Sequence, residues 1–196
     1  LPIYRIGNHD HFGIYEESGI APSHPLYNDT FFNKHFNLSD SYYSFNRNGY
    51  HFIMLNSISI TPERRYTGHI DEHQLAWLRQ DLADIEPDTP VILVTHIPLY
   101  SAAVFFRDSS LAANRPGLVV DNSGEVLDIC RPYQLTAVLQ GHLHVVEEIV
   151  WKNTSFITGG AVSGAWWDGS YEGFKEGFVV VDVEGKNFRW RYQTYR

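Results

Sequence analysis

Three short apolar runs in this chain end in the same manner. Leu1–Ile6 runs into Gly7-Asn8-His9-Asp10, Val91–Val94 into Thr95-His96, and Ala137–Gln140 into Gly141-His142-Leu143-His144. Apolar segments of this length read as strands buried in a parallel or mixed sheet. Open α/β sheets bind ligands beyond the carboxyl ends of their strands, so three such endings can converge on one crevice. Ten histidines spread evenly would say little, but four of them fall at these ends. A site at one edge of a sheet is therefore the first expectation.

The remaining pattern supports an α/β order. Leu75, Leu78, Leu82 and Ile85 recur at three- and four-residue spacing, which predicts a helix over Asp71–Ile85 with one apolar face. Asp71 and Gln74 have the spacing of a capping box, and Pro87 follows the far end. Strands are expected at Pro90–Thr95 and Thr136–Gln140, with a short helix between them at Gly124–Pro132. Asn48-Gly49 predicts a hairpin between Tyr42–Phe45 and His51–Asn56. The tail reads as four strands: Val145–Val150, Thr154–Ile157, Gly177–Val183 and Asn187–Tyr195. Asp10–Ser41 reads as loops around one short helix, and Ser101–Asn122 as a loop long enough to cover a site. With no linker or repeat in sight, residues 1–196 are expected to form a single domain.

Charge and composition narrow the partners. The net charge is −8 and the 15 Lys and Arg residues are scattered, which excludes a long nucleic-acid groove. A small phosphorylated substrate stays open, because bound metal cations supply positive charge locally. The apolar runs are too short for a transmembrane segment. A lone Cys130 leaves the redox compartment open, and localisation and oligomeric state are not legible. The chain opens at Leu1 and its one methionine is Met54, so the natural start is expected to lie upstream.

Imidazole and amide side chains suit borderline divalent metals such as zinc, manganese or iron. Singly, each cluster has a plain structural reading as a turn or a strand end; in this order, at these ends, the metal reading prevails. The three motifs resemble the last three signature motifs of calcineurin-like metallophosphoesterases, over essentially the whole chain. The stretch from Gly159-Gly160-Ala161 to Gly164-Ala165-Trp166-Trp167-Asp168-Gly169 also resembles bacterial members of that superfamily. The resemblance implies a four-layer α/β/β/α sandwich whose N-terminal strands are missing here. It implies that Asn8, His96 and His142 bind one metal ion, that His144 binds another, and that His9 protonates the leaving alkoxide.

The family pattern also has Asp-x-His and Gly-Asp-x-x-Asp motifs ahead of Gly-Asn-His, and neither stands ahead of Gly7 in this sequence. The intact enzyme is thus expected to use two divalent ions (Mn, Fe or Zn) and a bridging hydroxide on a phosphoric ester, a diester rather than a monoester. At most one ion is expected in this chain. The rival reading is a non-catalytic metal- or ligand-binding module on the same fold. Phe105-Phe106 and Trp166-Trp167 fall in loop-like stretches, where the plainer expectation is plugs under loops. The sharper one is an aromatic wall for a nucleobase or other organic leaving group, with Trp166 and Trp167 as substrate-binding residues.

Overall fold

The computed structural model describes residues 3–108 and 116–195. Its centre is a six-stranded mixed sheet in the order β1-β2-β5-β6-β8-β7. The strands are β1 (Tyr43–Arg47), β2 (Tyr50–Met54), β5 (Pro90–Val94), β6 (Gln134–Gln140), β7 (Val146–Trp151) and β8 (Thr154–Gly159). β2, β5, β6 and β8 run parallel, while β1 and β7 close the two edges antiparallel. All four parallel strands therefore deliver their carboxyl ends to one edge.

Period-two alternation within the strands divides the core. Val91 and Leu93 of β5, with Val138 of β6, pack under α2 (Glu72–Ala83) and α4 (Ser123–Cys130) through Leu75, Leu78, Leu82, Val126 and Cys130. Ile92 and Ala137 face the other way, with Tyr50, toward Val183 and Phe188. Those two belong to the hairpin β9 (Gly177–Glu184) and β10 (Asn187–Thr194), which forms its own two-stranded sheet. Each fully buried Leu or Ile here stabilises the fold by roughly 1.5–3 kcal/mol. Among the described residues no helix is long and apolar enough to cross a membrane.

Several elements differ from expectation. Ile3–Ile6 forms no strand, and Leu1 and Pro2 lie outside the described residues. Its backbone groups find partners other than a ladder: the Tyr43 hydroxyl accepts from the Tyr4 N–H (3.2 Å) and donates to the Tyr4 carbonyl (2.6 Å). Ile6 is nonetheless fully buried. In Asp10–Ser41 the expected short helix is α1 (Thr30–Phe36). A small hairpin, β3 (Ile58–Ile60) with β4 (Tyr66–Gly68), has no counterpart in the sequence reading, since three-residue strands carry too little periodicity. The Ser101–Asn122 stretch holds a helix, α3 (Ala103–Asp108), where only loop was expected; its residues 109–115 lie outside the described set.

Candidate metal centre

Beyond the carboxyl ends of β5 and β6, three side chains meet. Asn8 starts a 3-10 turn, Asn8–Asp10, and is buried. Its Oδ1 lies 2.7 Å from His96 Nε2, and that nitrogen lies 3.2 Å from His142 Nδ1. The backbones interlock as well, since the Gly141 N–H donates to the His96 carbonyl at 3.0 Å. Asn8 and His96, 88 positions apart in sequence, are thus brought into contact at the strand ends.

Burial dictates the charge state of these rings. His96 is held down at about 2, first by burial and then by the Arg5 guanidinium and the neighbouring histidines. His142 is held at about 4 by burial, against an opposing hydrogen bond to the Gly117 backbone. Both imidazoles are neutral at physiological pH and keep a lone pair for coordination. An amide oxygen and two ring nitrogens converging this closely repel one another unless a proton or a metal ion lies among them. The donor set fits a borderline divalent ion. Among the described residues no group of three or more His, Cys, Asp or Glu side chains is set to hold a metal; the third donor here is an amide.

The other two histidines lie beside this trio. His9 is exposed and lines a cavity of about 420 Å³ with Asp10, His11, Phe31 and His35. His144 Nδ1 donates to the Gly164 carbonyl at 2.6 Å, which fixes the tautomer and leaves Nε2 as the lone-pair nitrogen. Hydrogen positions follow here from that contact. Its ring packs against Trp166 (centroids 4.8 Å apart) and Tyr171 (5.7 Å).

Arg5 has no place in the sequence reading, although a lone cation inside an apolar run was the signal for it. Its guanidinium is buried and donates to the carbonyls of Val94 (3.3 Å), Leu55 (3.1 Å) and Ile6 and to the Ser57 hydroxyl (3.1 Å). Burial pushes it down to about 9, with Asp10 opposing, so it stays charged at neutral pH. Arg5 ties the ends of β2 and β5 to the segment that carries Asn8.

A family model for calcineurin-like phosphoesterases matches residues 4–146. The chain belongs to the calcineurin-like phosphoesterase family. That match takes in Asn8, His9, His96, His142 and His144; Trp166 and Trp167 lie beyond it. Among solved structures the phosphoesterase fold is similar to GAP50, the anchor in the inner membrane complex of Plasmodium. The TM-score is 0.52 at 16% identity over 80% of this chain, a likeness of fold. This chain covers 51% of that one, about half its length. No curated protein matches the sequence.

Among the described residues, neither aromatic pair of this chain is buried under a loop. Phe106 is 90% exposed, Trp166 61% and Trp167 66%, and Phe105 is half exposed. The plainer expectation fails because the segments that carry them lie on the surface instead of under loops.

Proposed function

We propose that the protein is a metal-dependent phosphoesterase acting on a small phosphorylated substrate, a diester in preference to a monoester. The observation that carries this reading is the convergence of Asn8 Oδ1, His96 Nε2 and His142 Nδ1 beyond the ends of two parallel strands. These three residues would hold one divalent ion, and His144, through Nε2, would serve a second in a dinuclear centre. Bound ions of this kind activate water and neutralise charge on the phosphoryl oxygens. Four neutral donors do not compensate two divalent charges, so occupancy by one ion is what these residues alone support.

The chain's own groups divide the remaining work. Asn8 is buried and His96 half-buried, and together they would fix the geometry of the centre. His9, exposed beside them, would give its proton to the departing ester oxygen as water's oxygen bonds to phosphorus and the ester P–O bond breaks.

Metal analysis and kinetics on two variants test the reading. His9→Asn should keep the metal content and lower kcat by about 10²-fold, since it removes a proton donor and no ligand. His142→Ala should lower metal occupancy itself. Equal metal loss in both variants would overturn the division of roles. Absence of metal-dependent phosphoester hydrolysis by the intact enzyme would overturn the function.

A further inference from the structure

The loop after β8 presents aromatic surface beside the site without burying it. The Trp166 ring lies 4.8 Å from the His144 ring at 33°, and Tyr171 stands nearly perpendicular to both. More than half of the indole is nevertheless exposed. Burial would justify tryptophan here, and burial is absent.

The backbone also costs energy at this point. Trp166 and Trp167 have φ of 52° and 75°, the left-handed region that a bulky residue avoids. Strain of this kind persists where its surroundings over-determine it, and it concentrates at ligand-handling sites. The surroundings are on hand. The Trp167 N–H donates to the Ser163 carbonyl and the Ala165 N–H to the Gly169 carbonyl. Tyr171 is fixed by Arg107, whose guanidinium lies 5.1 Å from its ring centroid. Arg107 also donates to Glu172 (2.9 Å) and to the Leu143 carbonyl (3.0 Å), inside the Gly-His-x-His segment itself. One cation thus couples α3, the aromatic loop and the histidine loop.

We infer that Trp166 and Tyr171 form the subsite for the organic group of the ester, and that this group is a flat aromatic ring system such as a nucleobase. The inference rests on the phosphoesterase reading above. An ester substituent on a phosphoryl group held at His144 has the indole as its adjacent apolar surface. The indole takes a π-face by stacking, which tolerates any base and favours a flat ring over an alkyl group. Arg107 and Tyr171 are positioning residues for this shelf.

Binding to the manganese-loaded protein tests it, read by calorimetry and by tryptophan fluorescence. Adenosine 5′-monophosphate should bind about tenfold tighter than ribose 5-phosphate, the scale of one base–aromatic stack. Trp166→Phe should keep most of that preference. Trp166→Asn, which tolerates left-handed backbone, should bring the two affinities together while circular dichroism stays native. Trp151→Ala, a tryptophan equally exposed on β7, should leave the ratio as it was. A tenfold preference that survives Trp166→Asn overturns the subsite and leaves the phosphoesterase reading standing. Adenosine binding that depends on Trp166, in a protein that hydrolyses no phosphoester, supports the aromatic shelf and overturns the hydrolytic reading instead.

Discussion

His142 and His144 both adopt left-handed backbone, with φ of 71° and 60°. Histidine tolerates that region better than most side chains, and a strand that continued straight would carry both rings past the Asn8–His96 pair. Bending at both residues turns the segment inward, so sequence spacing located the rings and the backbone conformation aims them. Buried side chains elsewhere are inert by the same logic of desolvation. Cys130, the last residue of α4, has its thiol pushed up to about 12 by burial. A thiolate is the reactive form, so the native protein should leave Cys130 unmodified by a disulfide reagent at pH 8, and denaturation should release one reactive thiol. The raised value also means that the stability of the buried thiol holds below about pH 9 and is lost as pH climbs toward 12. Rapid native-state labelling would refute this placement.

At the scale of elements, α2 repays comparison between pattern and structure. The Asp71 carboxylate accepts from the Gln74 N–H at 2.9 Å, as the spacing predicts. Gln74 does not reach back to complete the box. Its amide instead clamps the Asn56 backbone, accepting from the N–H (2.8 Å) and donating to the carbonyl (2.9 Å). Asn56 follows β2 where no ladder partner serves it, so Gln74 joins helix to sheet. Asp71→Ala should cost about 1 kcal/mol, a normal cap loss. Gln74→Ala should cost more, about 2–3 kcal/mol, because it strands two buried backbone groups. Urea unfolding ranks the pair, and an equal cost would remove the clamp from the argument. Long periodic elements such as α2, β5 and β10 were legible because many residues repeat one rule. The Ile3–Ile6 segment misled because an apolar run specifies burial, which Ile6 has, and leaves the choice of hydrogen-bond partner to tertiary context. Asn8, His96 and His142 were legible as strand-end residues. The contacts of Arg5, Gly164 and Arg107 were not, because each involves a backbone carbonyl that no sequence pattern marks.

At the scale of the whole molecule, the six-stranded sheet and the β9–β10 hairpin meet through the Ile92–Val183–Phe188 cluster and, near the site, through one tyrosine. The Tyr192 hydroxyl donates to the Lys175 carbonyl at 2.7 Å, just ahead of β9. Its ring lies over Gly160, where a Cβ would come within 2.6 Å of the hydroxyl oxygen. Gly160 has φ +62° and opens the loop that carries Gly164 and Trp166, so layer packing and site geometry share this contact. Gly160→Ala should therefore cost twice over, in left-handed strain and in displacing Tyr192. Gly49, in the β1–β2 turn with φ +79° and nothing within 4 Å of its would-be Cβ, isolates the first cost. Gly49→Ala should lose about 1 kcal/mol, as left-handed alanine does. Gly160→Ala should lose about 3 kcal/mol, because strain and overpacking add. Tyr192→Phe, which keeps the ring and drops only the hydroxyl, should lose only about 1 kcal/mol. Denaturant midpoints on the three variants measure these costs. If Gly160→Ala proved no worse than Gly49→Ala, Tyr192 would not be what fixes the start of the aromatic loop, and the loop would owe its position to its contacts with Arg107 and His144.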